Sequence, residues 1–241
     1  MYFNTPQKKL GQNFLKNKKY AHSLIKYIQP EENIIEIGPG KGFITEEILK
    51  KTKNLICIEK DPVLSYSLKE KFDNLNIINK DVLSIDLKDI PFDKFTIVSA
   101  LPYNISKNII SKFLKDEIRA SNIYVILQKE VAQKYTTPGD LLFNTVSIYS
   151  TSVERGDVID NKNFYPSPKV QSQIIYIKQI KTFNKEDVNL ENFIKKGYIQ
   201  PRKKLKNNLK LYNIEGYEDK RAHELNLEEW INLFRKNTIS S

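Results

Sequence analysis

Three glycines in segment 34–45 are the first residues whose type and spacing suit a chemical function. The segment reads Ile-Ile-Glu-Ile-Gly-Pro-Gly-Lys-Gly-Phe-Ile-Thr. An apolar run, typical of a buried strand, enters a turn that holds Gly38, Gly40 and Gly42, and a helical pattern follows. Such a turn needs glycine where the backbone takes a positive φ or where a ligand touches it closely. The segment predicts a nucleotide-type cofactor site, although turns of this kind serve several cofactors and also occur without a ligand.

Two carboxylates follow at the ends of the next two predicted strands. Glu59 comes about 20 residues after the turn, where a carboxylate accepts hydrogen bonds from ribose hydroxyls. Asp81 ends the third strand and can accept a hydrogen bond from an exocyclic adenine amine. Either acid alone would more often be a helix cap or a solvated charge, but together they indicate an adenosine-bearing ligand. The tight Gly-x-Gly-x-Gly spacing leaves little room for a pyrophosphate, so S-adenosylmethionine matches better than NAD.

A regular alternation of strands and helices is expected to bring these residues together. Apolar runs predict strands at residues 33–37, 54–59, 75–79, 95–100 and 123–128, and helical spacing predicts helices at 44–51, 62–72 and 106–115. An earlier helix, with apolar residues at Ala21, Leu24, Ile25 and Ile28, is expected to end at Pro30. This order predicts an α/β fold with a doubly wound sheet, whose strand ends share one ligand crevice. Segment 99–106, Ser-Ala-Leu-Pro-Tyr-Asn-Ile-Ser, ends the fourth strand at that crevice.

The pattern changes after about residue 130. Segments 141–152 and 170–178 predict two more strands around the loop 163–169, and the chain from about 185 onward is helical and basic. We therefore expect a cofactor-binding domain over residues 1–180, with a basic N-terminal arm, and a small helical domain over 181–241. The single cysteine, Cys57, is expected to be a buried thiol. No signal sequence or membrane span is evident, so we expect a soluble, cytoplasmic monomer.

The net charge of +10 favours a polyanionic partner, although base composition of the genome could account for part of it. Segment 195–210 contains seven basic residues and no acid. Such density suits phosphate contacts better than a solvated helix, where like charges repel. The two histidines, His22 and His223, are expected to be structural or on the surface. The predicted RNA-binding residues are Lys8, Lys9, Lys195, Lys196, Arg202, Lys203, Lys204 and Lys206.

The chain resembles the dimethyladenosine transferases of ribosomal RNA in six ordered blocks along nearly its whole length. The blocks are Gln-Asn-Phe-Leu at 12–15, Glu-Ile-Gly-Pro-Gly at 36–40, Leu-Pro-Tyr-Asn-Ile-Ser at 101–106, Gln-Lys-Glu-Val-Ala at 128–132, Phe-Tyr-Pro-Ser-Pro-Lys-Val at 164–170 and Arg-Lys-Lys-Leu-Lys-Asn-Asn-Leu at 202–209. The fourth and sixth blocks are closer to the small-subunit (KsgA) branch than to the Erm resistance branch. The resemblance implies a Rossmann-like fold of the class I methyltransferase type and methylation of adenosine N6 in small-subunit RNA.

The resemblance also assigns roles to residues. The adenine amine is a weak nucleophile until hydrogen-bond acceptors hold its hydrogens out of the ring plane. By the resemblance, the Leu101 carbonyl would be one such acceptor, and Pro102 would fix the turn. Tyr103 would stack on the adenine, and Phe164 would cover the other face of the base. In-line transfer from a sulfonium needs positioning and desolvation, and no metal. The expected cofactor-binding residues are Gln12, Asn13, Leu15, Gly38, Gly40, Gly42, Glu59, Lys60, Asp81, Val82 and Ala100.

One position departs from the family pattern. The family has asparagine where this chain has Ala100, which cannot accept a hydrogen bond. Losing one such contact costs on the order of 10²- to 10³-fold in rate. Ala100 is compatible with a natural variant that has a compensating acceptor, with an engineered substitution, or with a ribosome assembly factor that binds RNA without methylating it. Besides the small-subunit methyltransferase and the assembly factor, a third hypothesis for the function is a large-subunit methyltransferase of the Erm type.

Overall fold

The computed structural model describes residues 12–115, 120–182 and 184–238, and the fold within them is a seven-stranded sheet with helices on both faces. Its strands are β2 (Ile34–Ile37), β3 (Leu55–Ile58), β4 (Asn76–Ile78), β5 (Thr96–Ala100), β6 (Asn122–Gln128), β7 (Ser150–Ile159) and β9 (Ser172–Ile180). The strand order is β4-β3-β2-β5-β6-β9-β7. Strands β2 to β6 run parallel, whereas β9 and β7 are antiparallel to their neighbours. This topology confirms the predicted doubly wound α/β fold.

Two short strands form a separate ribbon in front of the sheet. β1 (Phe14–Leu15) pairs antiparallel with β8 (Phe164–Tyr165). The pairing joins two segments that are far apart in the sequence. The helices are α1 (Lys18–Leu24), α2 (Phe43–Ile48), α3 (Pro62–Lys71), α4 (Ser106–Lys115), α5 (Lys129–Thr136), α6 (Leu141–Tyr149), α7 (Lys185–Gly197), α8 (Leu205–Asn208) and α9 (Leu227–Thr238).

Two sequence-based predictions of secondary structure are wrong. The chain over 141–149 is helix α6, and strand β7 begins only at Ser150. The Asp140 side chain accepts a hydrogen bond from the Leu142 amide, which caps the helix and favours it over the extended conformation. The first helix ends at Leu24 and not near Pro30. Just beyond it, the Lys51 ammonium donates to the backbone carbonyls of Ile25 at 3.0 Å and Ile28 at 3.2 Å, which lie outside the helix.

The sheet separates two apolar clusters because successive strand residues face opposite sides. In β2, Ile35 and Ile37 enter one cluster and Ile34 enters the other. Side chains of the C-terminal helices, including the fully buried Trp230, belong to the same cluster as Ile35 and Ile37. The division into two domains near residue 180 stays a prediction.

A buried acid joins α7 to the rest of the fold. Glu191 is 1% exposed and accepts hydrogen bonds from Lys115 and Tyr149, both at 2.7 Å. Lys195 lies 2.7 Å from the same carboxylate. These partners hold the pKa of Glu191 below its usual value although burial opposes them. Within the described ranges, no helix is both long and apolar enough to cross a lipid bilayer.

Candidate active site

A cavity of about 510 Å³ opens at the carboxyl ends of β2, β3 and β5. This volume lies in the range of pockets that hold small molecules. All but one of the predicted cofactor-binding residues line it, and so do all the predicted catalytic ones. They are Gln12, Asn13, Leu15, Gly38, Gly40, Glu59, Lys60, Asp81, Val82, Ala100, Leu101, Pro102, Tyr103 and Phe164.

The glycine turn presents bare backbone to this cavity at Gly38. Its φ of +62° is left-handed, and a Cβ built there would meet no atom within 4 Å. Gly42, the exception among the predicted cofactor contacts, lies outside the cavity lining. A Cβ on Gly42 would come within 2.5 Å of the Phe72 ring and 2.8 Å of Leu68. Gly42 therefore allows α2 to pack closely on α3, so its assignment as a cofactor contact needs correction.

Glu59 follows β3 and fixes the glycine turn. One carboxylate oxygen accepts the Gly40 amide at 3.1 Å, and the other accepts the Asp61 amide at 2.9 Å. The side chain is 6% exposed, and this burial raises its pKa. Each carboxylate oxygen has a further lone pair, so Glu59 keeps the capacity to accept a ligand hydroxyl.

Asp81 follows β4 and has a different environment. Its carboxylate accepts the Leu83 amide at 2.9 Å and lies 2.9 Å from the Lys60 ammonium. The hydrogen bond from Lys60 lowers the pKa of Asp81. Asp81 is therefore ionised at neutral pH and can accept a hydrogen bond from an amine on the ligand.

Glu36, beneath the turn, was not among the predicted site residues. Its carboxylate accepts the Thr45 hydroxyl at 2.6 Å and the Cys57 thiol at 3.6 Å, and the side chain is 1% exposed. Burial raises the pKa of Glu36 to about 7. Glu36 ties β2 to α2 and thereby supports the glycine turn from below. The sequence signals for this role were its position in the middle of an apolar strand and its place in the Glu-Ile-Gly-Pro-Gly block.

Ala100 ends β5 and places a methyl group on the cavity wall, opposite Ile126 in the neighbouring strand. The preceding Ser99 hydroxyl donates to the Ile37 carbonyl at 2.5 Å, and the Leu101 amide donates to the Ile126 carbonyl at 3.2 Å. Both bonds fix the backbone next to Ala100. In the part of the chain that the structure describes, no group donates to the Leu101 carbonyl, which leaves it available to a ligand.

The Tyr103 ring is held by a residue that sequence reasoning missed. Its hydroxyl lies 2.6 Å from the Ser172 hydroxyl at the start of β9. Ser172 is fully buried, and Tyr103 is partly buried with a raised pKa because burial disfavours the phenolate. The hydrogen bond limits rotation of a ring whose predicted task is to stack on the substrate. Nothing in the local sequence around Ser172 indicates this contact, since it depends on how β9 is placed in the sheet.

Phe164 reaches the cavity from the ribbon. It is 3% exposed and is the cross-strand partner of Leu15, while its neighbour Tyr165 pairs with Phe14. The loop that was expected between two strands thus returns to the N-terminal segment. This return explains why residues near both 14 and 164 line one cavity.

Several lysines of the basic segment 195–206 bind other side chains of the protein, which the sequence does not predict. Lys195 binds the buried Glu191, and Lys196 contacts the Tyr212 hydroxyl. Lys204 and Lys206 both lie 2.9 Å from Asp219, which the sequence places well outside the segment. Arg202 and Lys203 are exposed, and no carboxylate of the described chain lies within salt-bridge distance of them. Lys8 and Lys9 lie outside the described residues.

A doubly wound sheet, a glycine turn facing a cavity and acids at the next two strand ends define the class I S-adenosylmethionine-dependent methyltransferases. The segment 100–103 lines the same cavity.

The chain belongs to the ribosomal RNA adenine dimethylase family, whose model matches residues 3–240. It is 38% identical to the ribosomal RNA small subunit methyltransferase A of Wigglesworthia glossinidia brevipalpis, over 95% of this chain and 96% of that protein. It is 34% identical to the protein of the same name from Hydrogenobaculum sp. (strain Y04AAS1), over 98% and 97%. The predicted family and its cofactor, S-adenosylmethionine, are confirmed.

Solved structures support the fold. The 23S rRNA methyltransferase ErmE superposes with a TM-score of 0.75 at 23% identity, covering 93% of this chain and 99% of that one. A dimethyladenosine transferase from Plasmodium falciparum also gives 0.75, at 20% identity, covering 91% and 95%. At these identities the comparison concerns the fold alone.

Proposed function

We propose that this protein methylates N6 of adenosines in small-subunit (16S) ribosomal RNA during ribosome biogenesis. The observation that carries the proposal is the shared cavity, which brings the glycine turn and Glu59 together with Leu101 and Tyr103. Relatives named as small-subunit methyltransferases match this chain over almost their full length. We further propose that the protein acts as a monomer in the cytoplasm.

The residues present fit an S-adenosylmethionine molecule. Gly38 lets a ligand approach the backbone closely, since a side chain there would project into open space. Glu59 retains acceptor capacity for ribose hydroxyls, and the ionised Asp81 can accept from the adenine amine. When bound, the cofactor supplies a sulfonium methyl group, whose transfer needs no metal.

The segment 100–103 would receive the target adenosine after it leaves its stack in the RNA. The Leu101 carbonyl accepts one N6 hydrogen, and the Tyr103 ring, anchored through Ser172, stacks on the base. Phe164 covers the other side of the cavity. Ala100 contributes no acceptor, so the second N6 hydrogen lacks the contact that asparagine gives other family members. The chemistry is expected to be slow rather than absent, because positioning and the Leu101 contact remain.

The proposed RNA contacts include the basic residues of the C-terminal segment and the N-terminal arm. Arg202 and Lys203 are the best placed, since each is exposed and, within the described ranges, no carboxylate lies within salt-bridge distance of either. Exposed pairs such as Lys204 with Asp219 contribute little to stability and can exchange for phosphate. Lys8 and Lys9, in the N-terminal arm of the sequence, would add further contacts.

Ala100 specifically favours a second candidate function, a ribosome assembly factor that binds RNA but has lost its methylation activity. A filter assay with tritiated S-adenosylmethionine separates the two when immature small subunits and large subunits are offered in parallel. The proposal predicts sustained incorporation into small-subunit RNA, abolished in the Tyr103→Ala variant and retained in Tyr66→Ala, which alters an exposed ring outside the cavity. Binding of small subunits without incorporation would favour the assembly factor, and incorporation into 23S RNA would favour the Erm-type activity.

A further inference from the structure

Tyr165 lines the cavity, and the proposed chemistry gives its side chain no role. It is 58% exposed, whereas its neighbour Phe164 is 3% exposed, and both line the cavity. A single exposed aromatic residue is ordinary on a protein surface. An exposed ring at the mouth of a site that must receive an unstacked base suggests a specific function.

The ribbon holds this ring in a defined place. Tyr165 lies in β8 opposite Phe14, and the Lys16 amide donates to the Asn163 carbonyl at 2.9 Å to continue the pairing. Neighbouring residues of a strand face opposite sides, so Phe164 points into the protein while Tyr165 points outward. Because the backbone is paired, only the side-chain torsions of Tyr165 remain to be ordered when a ligand stacks on the ring.

The charges around the cavity mouth suit a polyanion. Lys16, Lys41 and Lys80 line the cavity and are exposed. Throughout the described ranges, no carboxylate lies within salt-bridge distance of these three. The ammonium of Lys41 lies 5.3 Å from the centroid of the Phe14 ring, next to the ribbon. This arrangement contrasts with Lys204 and Lys206, whose charge Asp219 partly neutralises.

We propose that Tyr165 stacks on the nucleotide adjacent to the target adenosine, and that Lys16 and Lys41 contact the phosphates beside it. This inference rests on the proposed function. Extruding one base leaves its neighbour without a stacking partner, and an exposed aromatic ring replaces that partner. Exposed aromatic rings among unpaired lysines bind single-stranded RNA in this way. The RNA would thus be held at the ribbon as well as at the C-terminal segment.

The test measures the affinity of immature small subunits for the full-length protein, with S-adenosylhomocysteine bound so that no turnover occurs. Tyr165→Ala is expected to weaken binding about 5- to 150-fold, the range for losing one base stack. Tyr165→Trp and Tyr165→Phe should stay within about threefold of the unmodified protein, because both retain an aromatic face. Tyr66→Ala, which removes a ring 67% exposed elsewhere on the surface, should have no effect.

Two further measurements separate a loss of RNA contacts from a loss of cofactor binding. Lys16→Ala should lower the slope of log affinity against log salt by about 0.7, as expected for one phosphate contact to a single strand. Affinity for S-adenosylhomocysteine, measured by calorimetry, should not change in Tyr165→Ala. The inference is overturned if Tyr165→Ala binds the subunits as the unmodified protein does, or if it loses cofactor affinity instead. Lack of methylation by the unmodified protein would count against the proposed function and leave the binding comparison valid.

Discussion

Replacing Ala100 by asparagine is expected to raise the rate of methyl transfer about 10²- to 10³-fold. The added carboxamide would supply the missing acceptor for the second N6 hydrogen, and one such contact is worth about 3 to 4 kcal/mol of activation free energy. The structure has room for it, since Ala100 is half-buried on the wall of a cavity of about 510 Å³. The backbone at this position is already fixed by β5 pairing, so the new side chain should enter without rearrangement.

The matched control is Ala100→Leu, whose side chain is close in size to asparagine but has no acceptor. Single-turnover rates with saturating cofactor and immature small subunits isolate the chemical step from product release. We expect Ala100→Asn to be fast and Ala100→Leu to be no faster than the unmodified protein. Equal rates for the two variants would show that filling the cavity, and not accepting a hydrogen bond, matters at this position. No change in Ala100→Asn would mean that another group already holds the amine.

Three other predictions follow from the contacts at the site. Ser172→Ala should lower the turnover number up to about tenfold, because it releases the Tyr103 ring. The affinity for the cofactor should not change, and Ser172→Thr should restore part of the activity. An unchanged turnover number in Ser172→Ala would show that Ser172 does not support the site. Gly42→Ala and Gly38→Ala both strain a left-handed φ, but only Gly42→Ala also clashes with Phe72 and Leu68. Gly42→Ala should therefore lower the melting temperature more, and Gly38→Ala should weaken cofactor binding more in calorimetry. The opposite pattern would reverse their assignments. Glu36 binds its proton more tightly in the folded than in the unfolded protein, so its contribution to the free energy of unfolding should fall by about 3 kcal/mol as the pH rises from 4.5 to about 7. Urea unfolding of Glu36→Gln should show a weaker dependence of the free energy of unfolding on pH. An equal dependence in the two proteins would contradict the assignment.

The parallel part of the fold could be predicted because its signals are local. Strands β2 and β3 are short apolar runs that are buried along their whole length, and each is followed by a helix. The glycine turn and the strand-end acids follow directly from that order, since parallel strands end at one edge. Their meeting at one cavity confirms the expected fold class.

The antiparallel part was harder because its signals are ambiguous. Segment 141–149 is rich in apolar and β-branched residues, so it resembles a strand, and only the cap at Asp140 favours a helix. The functional contacts of this part are also long-range. Ser172 reaches Tyr103 because β9 packs beside β6, and Tyr165 reaches the cavity because β8 pairs with the N-terminal segment.

Local sequence also misjudged two features whose partners are distant. The basic segment appears unopposed in the sequence, yet folding brings Glu191 and Asp219 to it. Gly42 belongs to the glycine pattern, yet it serves the packing of α2 on Phe72. In both cases the sequence indicates the type of residue required, and only the tertiary contact shows its use.

The most direct test of the central claim, that a methyl donor and an unstacked adenosine meet at this cavity, is a mass-spectrometric map of methylated adenosines. Both ribosomal subunits, in immature form, would be incubated with the protein and S-adenosylmethionine. We expect N6-methylated adenosine in small-subunit RNA alone, at a higher level with Ala100→Asn and lost with Tyr103→Ala. Methylation confined to 23S RNA, or none in either subunit from Ala100→Asn despite measurable cofactor binding, would contradict this expectation.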